Sequence, residues 1–208
     1  MQIDLARAQQ YLDWMKTKLF LDCNAKIAAT NPSTKHIKNV YRGKVYYCHF
    51  GLGIGSEQEK IYRPCVVIQR YSANLSSPNT IVAPITKTSS TFDVVVPIAT
   101  QYKDNGEILL EGHVLLGNIV TVSKARIGDY IANLSPTEMK EVNKALAISV
   151  ELYPYYKDIK KSLNDKLQFL DKVKDQRNEA QDNLKEIYEL LQVSSADDAK
   201  QKIQELIK

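Results

Sequence analysis

The sequence predicts an α+β protein in which a block of short strands is flanked by helices. Three observations carry this. Apolar residues recur at three- and four-residue steps over 3–29 and again over 135–152. Between them, residues 40–131 hold short runs rich in Val, Ile, Thr and Tyr, separated by Gly, Asn, Ser and Pro. Residues 155–193 are charged, with Leu at heptad spacing. Short strands so closely spaced close into a small barrel or stack as a sandwich.

At 208 residues the chain can bury a real core and make one or two domains. Its 44% hydrophobic and 25% charged residues are those of an ordinary globular protein. The net charge of +4 is too small to demand a nucleic-acid partner, and it is unevenly spread. Residues 1–38 carry six Lys/Arg against three Asp; 39–154 carry eleven basic against ten acidic residues; 155–208 carry eleven of each. Cys23, Cys48 and Cys65 are odd in number and lack metal-ligand spacing, so they read as reduced thiols in a cytoplasmic protein. Cys48 and Cys65 fall in strand-like runs, where apolar filler is the plainer role. No apolar stretch reaches 18 residues, and the N-terminus has Asp4 and no apolar core of a secretory signal. A membrane partner is not expected.

Taken in order, the first helix carries Leu5, Ala8, Leu12, Met15, Leu19 and Phe20 on its apolar steps, and Asn31-Pro32-Ser33 stops it. Strands follow at Val45–Phe50, Cys65–Ile68, Thr80–Ile85, Asp93–Pro97 and Val114–Val122. Lys103-Asp104-Asn105-Gly106 holds the Asn-Gly turn signal, on flanks long for a tight hairpin. Ser135-Pro136-Thr137-Glu138 has a capping Ser, Pro at the first helical position and Glu at the capping-box position. Met139, Val142, Ala145, Leu146, Ile148 and Leu152 give that helix its apolar face, and Pro154 ends it. In the long helix of 155–193, Leu163, Leu167 and Leu170 begin a seam that Leu184, Tyr188 and Leu191 resume, with Lys174, Arg177 and Gln181 between. Ser194-Ser195 breaks it, and a short amphipathic helix with Ile203, Leu206 and Ile207 folds back as an αα-hairpin. Three segments result: 1–38, 39–154 and 155–208.

Chemistry-bearing residues concentrate in 51–86. Three glycines at alternate positions, Gly51, Gly53 and Gly55, precede Ser56-Glu57-Gln58 and let the backbone approach a ligand. It is not a Walker loop, because no Gly-Lys-Ser/Thr follows and no helix opens there. Arg63 begins a strand anchored by Pro64 and Val66–Ile68. A guanidinium stays charged at any physiological pH, offers five donors in a planar fork and neutralises charge on a phosphate. Thr86 ends the apolar run Ile81–Ile85, where a hydroxyl can donate to a phosphate oxygen. Singly, each has a plainer account: a flexible hairpin tip, a surface Arg, a β-favouring Thr. His36, His49 and His113 are scattered; His49 reads as a structural strand residue and His113, after Gly112, as a solvated turn residue. A two-His ribonuclease site and a metal site are therefore not expected, and no Gly-x-Ser-x-Gly elbow occurs.

The ordered motifs Gly43-Lys-Val-Tyr46, Gly55-Ser-Glu-Gln58, Arg63-Pro-Cys-Val-Val-Ile-Gln69, Thr80-Ile-Val-Ala-Pro-Ile-Thr86 and Ile119-Val-Thr-Val-Ser-Lys-Ala-Arg-Ile127 resemble the MazF/PemK family of toxin endoribonucleases. The resemblance covers about 39–153. It implies a small SH3-like β barrel with a C-terminal helix, to which this chain adds an N-terminal helix and a long C-terminal helical extension. It also implies a cytoplasmic homodimer that cuts single-stranded RNA at a short sequence, without metal or other cofactor, as the toxin of a toxin–antitoxin pair. The cut leaves a 2′,3′-cyclic phosphate and a 5′-OH, and DNA is met only through the antitoxin complex. The family's catalytic positions fall on Arg63, Thr86 and Ser56, and RNA contacts are expected from Glu57, Gln58, Lys60, Gln69, Lys87, Asn118 and Lys124. Arg63 is a poor base, so its role is to stabilise the pentacovalent phosphate or to protonate the leaving oxygen late; the sequence leaves the general base open, with Glu57 a candidate only by its charge and closeness in sequence.

The chain departs from the family pattern in two places. Glu59–Tyr62 is one residue longer than expected between the loop and Arg63, and Gly117-Asn118 with Val120 replaces more polar residues. The competing reading is a barrel of the same fold that binds RNA or protein without cutting, regulated by its added helices. The tail is charge-balanced, which argues against a built-in acidic mimic of RNA.

Overall fold

β3, Asn79–Thr86, is the strand on which the sheet turns. In the computed structural model, which describes residues 4–30, 39–55, 57 and 61–207, its first half pairs with β6 (Val120–Ser123) and its last two residues pair with β5 (Ile108–Leu115). Along its other edge it pairs with β2 (Tyr62–Val67). β1 (Lys44–His49), β4 (Val95–Tyr102) and β7 (Ile127–Asn133) complete a seven-stranded antiparallel sheet in the order β4-β5-β3-β2-β1-β7, with β6 on β3. One strand serving two neighbours along one edge forces the sheet to curl, and register shifts in β1/β7 and β4/β5 add local twist. The result is a curled antiparallel half-barrel, the small barrel that the sequence predicts.

Period-two alternation sorts the side chains of the curl onto two faces. Val45, Val66, Ala83, Ile85, Val96, Ile98 and Val114 fill the larger core. α3 (Pro136–Ser149) closes it with Val142 and Ala145. Tyr46, Cys48, Cys65, Val67, Val82 and Val122 form a smaller cluster on the other face. The expected capping box opens α3: Ser135 Oγ accepts from the Glu138 amide at 3.2 Å, and the Glu138 carboxylate accepts from the Ser135 amide at 2.7 Å. The other Glu138 oxygen accepts from the Ala99 amide at 2.8 Å, tying α3 to β4. Burial pushes the Glu138 pKa up, but its bonds from Ser135 and Ala99 outweigh this and leave it below the usual value.

Several boundaries differ from the sequence expectation. Val114–Val122 is not one strand; a 3-10 turn at Leu116–Asn118 separates β5 from β6. Lys103–Gly106 is the β4–β5 hairpin turn, with Gly106 at φ +82°. A short helix, α2 (Tyr71–Ser76), sits between β2 and β3, where no apolar periodicity announces it. Pro154 does not end α3, which stops at Ser149. It lies in the first turn of α4 (Tyr153–Leu191), where its missing N–H costs nothing. α1 (Leu5–Thr30) forms as expected, while its Asn31-Pro32-Ser33 stop lies outside the described residues. Its half-buried residues include Arg7, Trp14, Thr17 and Leu21, whereas Leu12 and Leu19 are 60% and 61% exposed.

The chain forms two compact units, Met1–Tyr153 and Pro154–Lys208. In the second, α4 runs 39 residues without interruption through Lys174, Arg177 and Gln181, and none of its residues is buried. Gln192 takes φ +55° after it, and α5 (Ala196–Leu206) opens with Ser195 Oγ accepting from the Asp198 amide at 3.2 Å. No described helix is long and apolar enough to cross a membrane.

Candidate active site

The strand register brings separated residues into one row. β2 and β3 pair Cys65 with Pro84, Val66 with Ala83 and Val67 with Val82. Carried two residues further, the same register sets Arg63 across from Thr86. β3 and β5 pair Thr86 with His113, and β4 and β5 pair His113 with Pro97. The neighbours Val66, Ile85, Val114, Val96 and Ile98 all point into the larger core, so alternation sends Arg63, Thr86, His113 and Pro97 to the opposite face. Arg63, Thr86 and His113 are each partly exposed. Neighbouring Cα atoms across an antiparallel pair are about 4.5–5.5 Å apart, so His113 lies beside Thr86 at that spacing.

The row has backbone support. Thr86 Oγ1 accepts from the Thr88 amide at 3.3 Å, which leaves its own proton to donate. Gly112 has φ +128°, and a Cβ there would lie 3.0 Å from the Thr86 carbonyl carbon and closer still to its oxygen. Only glycine lets β5 approach β3 this closely. His113 Nδ1 is buried without a hydrogen-bond partner.

Beside Arg63 on β2, Tyr62 stacks on Tyr47 with ring centroids 5.0 Å apart and meets His49 at a tilt with centroids 4.3 Å apart. Its hydroxyl reaches over Gly128, where a Cβ would overlap it. Burial, and then the charge of Arg126, hold the His49 pKa below its ordinary value, so the ring is neutral near pH 7. Arg126 donates to the carbonyls of His49 and Phe50 at 3.3 and 3.0 Å, and it stacks on Trp14 at 5.4 Å. The Trp14 indole seats against Gly51, where a Cβ would come within 2.6 Å of it. Arg7 donates to the Gly53 carbonyl at 2.8 Å. α1 thus holds the first half of the glycine loop, a contact that no sequence motif signals.

The remaining candidates scatter. Ser56, Gln58 and Lys60 lie outside the described residues. Glu57 is exposed in the loop, and its carboxylate accepts from the Ile54 amide at 2.9 Å. Gln69 follows β2 at the end away from Arg63, six residues or about 20 Å along an extended strand. Lys87 is exposed next to Thr86 and pairs with Glu111. Asn118 is exposed in the 3-10 turn after β5.

Two expectations need correction. Lys124 is not a surface contact: it is 1% exposed and its Nζ donates to the Asn74 carbonyl. Asn74, also 1% exposed, accepts from Thr80 Oγ1 at 2.8 Å and donates to the Gln69 carbonyl at 3.1 Å. Lys124 therefore ties the turn after β6 to α2, and burial lowers its pKa. His113 is not a solvated turn residue. Gly112 suggested a turn, but it marks a close strand crossing, and His113 sits within β5 opposite Thr86. Cys48 and Cys65 are buried, as filler should be; their mutual hydrogen bond, then burial, pushes the Cys65 thiol well above its usual range. Among the described residues no group of three or more His, Cys, Asp and Glu could hold a metal ion.

The chain was compared with known proteins. Residues 41–150 match the model of the PemK-like, MazF-like toxins of type II toxin–antitoxin systems. The endoribonuclease MazF of Staphylococcus saprophyticus is 36% identical over 112 residues, covering 54% of this chain and 92% of the relative. The endoribonuclease EndoA of Bacillus subtilis is 34% identical over 116 residues, covering 56% of this chain and 98% of the relative. Among solved structures, a mycobacterial endoribonuclease in complex with its cognate antitoxin is 26% identical over 54% of this chain and 96% of its own, with a TM-score of 0.46. The match spans more than half of the sequence and nearly the full length of both relatives: the chain belongs to the PemK-like, MazF-like toxin family of type II toxin–antitoxin systems.

Proposed function

We propose that this chain is an endoribonuclease that cuts single-stranded RNA at a short sequence, without metal, as the toxin partner of an antitoxin. The observation that carries the reading is that Arg63 and Thr86, both partly exposed, lie on the paired strands β2 and β3, whose register extended beyond Cys65–Pro84 aligns them. Family membership and relatives that are endoribonucleases support it. The ribose 2′-OH attacks the adjacent phosphate and the 5′-oxygen leaves, giving a 2′,3′-cyclic phosphate and a 5′-OH. Negative charge grows on the non-bridging oxygens, where the Arg63 guanidinium neutralises it and the Thr86 hydroxyl donates. In this reading Ser56 is a further donor, and Glu57, Gln58, Lys60 and Lys87 contact the RNA. Gln69 and Asn118 would meet bases further along the strand. The working form is a homodimer of the 39–154 domain, and the cognate antitoxin is unidentified.

The test is cleavage of a long RNA by the purified chain in EDTA, with product ends mapped. Wild type should cut at a recurring short sequence, while Arg63→Ala should be slower by about 10²–10³-fold, the usual cost of one transition-state donor. RNA bound but uncut by wild type would replace this reading with a non-catalytic barrel.

A further inference from the structure

Arg63 and Thr86 leave one step of this chemistry without a group to perform it. Both are donors in the required states, and neither takes up the 2′-OH proton at neutral pH. The structure supplies an imidazole at the same row. His113 is the Cα partner of Thr86 across β3 and β5, on the face opposite the packed Ile85–Val114 pair. Its ring is partly exposed, and its Nδ1 is buried without a hydrogen-bond partner. Buried polar atoms are nearly always satisfied, so an orphan imidazole nitrogen beside Thr86 marks a position where function outweighs stability. Gly112 adds independent support, because its left-handed backbone and close approach to the Thr86 backbone hold this strand against β3. The charged groups at the row are Arg63 on β2, Lys87 just past β3 and Glu111 on β5, with Lys87 and Glu111 paired to each other. β4 presents the uncharged Pro97.

We propose that His113 is a catalytic residue, the general base that takes the 2′-OH proton of RNA lying across Arg63 and Thr86. The inference rests on the endoribonuclease reading above. In the step, the O2′–H proton passes to the imidazole as the O2′–P bond forms. The P–O5′ bond breaks, and the departing O5′ takes a proton from water, or from the Arg63 guanidinium, which solvent then reprotonates. The imidazolium then returns its proton to solvent, and no oxidant, reductant or metal is consumed. A row of guanidinium, hydroxyl and imidazole does with one histidine what a two-histidine ribonuclease does with a pair.

The experiment measures single-turnover cleavage of a defined RNA from pH 5 to 9 for wild type, His113→Gln, His113→Asn and His113→Ala. Binding to the same RNA with a 2′-deoxy group at the scissile position is measured alongside. The expected result is a rate loss of about 10²–10⁴-fold in Gln and Asn variants, loss of the acidic limb of the pH profile, deoxy-RNA binding within ~3-fold of wild type, and partial rescue of His113→Ala by imidazole. If wild type cuts and both polar variants cut within ~3-fold of it with the same pH profile, His113 is not the base and the endoribonuclease reading stands. Cutting and deoxy-RNA binding lost together, with no imidazole rescue, also overturns the proposal and makes His113 a structural residue. A wild type that cuts no RNA overturns the endoribonuclease reading itself, and the proposal with it.

Discussion

Replacing Gly112 by alanine should damage the fold at the row that Thr86 and His113 share. Two costs combine there. At φ +128° an L-residue occupies backbone space that is nearly glycine-only, which costs about 1–3 kcal/mol. The new Cβ would also meet the Thr86 carbonyl carbon at 3.0 Å and its oxygen closer still, and backbone cannot rotate away as a side-chain tip can. Forcing such an overlap typically costs a further ~1–3 kcal/mol. The expected loss is about 2–5 kcal/mol, or roughly 5–15 °C in the melting temperature of the half-barrel. Gly106 separates the two costs. It has φ +82° in the β4–β5 turn, with nothing within 4 Å of a built Cβ. Gly106→Ala should therefore show the backbone cost alone, about 1–2 kcal/mol. Urea unfolding followed by tryptophan fluorescence reports Trp14, the single Trp of the chain, which packs on the half-barrel. A Gly112→Ala midpoint no lower than that of Gly106→Ala would refute the claim that β5 and β3 are in close backbone contact at Thr86.

Lys124→Met should lower stability by about 1–3 kcal/mol, because the buried Asn74 carbonyl loses its donor. The same variant should leave the salt dependence of RNA binding unchanged; a log–log slope smaller by about 1 would mean that Lys124 touches a phosphate after all. The His49 ring predicts an acid sensitivity. Its folded-state pKa is lowered by burial and by Arg126, so its contribution is complete above the unfolded value of about 6.5 and is lost as pH falls through the lowered folded value. Between pH 7.5 and 5, wild type should therefore lose more in urea midpoint than His49→Phe, and equal losses in the two proteins would assign the acid sensitivity elsewhere.

The elements most legible in sequence were those with a local code. The α3 capping box is written in Ser135, Pro136 and Glu138, and the hairpin turn in Asn105-Gly106, because these residues satisfy their own backbone within four positions. α1 and α4 follow from periodicity, although α4 starts at Tyr153 because Pro154 suits a first turn as well as it suits a stop. Less legible were features that depend on distant partners. Lys124 reads as a surface cation until α2 closes over it, and Gly112 reads as a turn until β3 is laid beside it. The docking of Trp14 and Arg7 on Gly51 and Gly53 joins residues about forty positions apart and leaves no local trace.

By itself the sequence determined the α+β class, the strand block between helices and the family, and it singled out Arg63 and Thr86 as candidates. These rest on residue type and chain order, which need no partner to be read. Only the tertiary structure decided which side chains share a row, because strand register is a property of two strands and not of either one. It moved His113 from a turn to the side of Thr86, withdrew Lys124 into the interior and set α1 against the glycine loop. In each case burial and cross-strand contact, which couple residues distant along the chain, overrode the local preference.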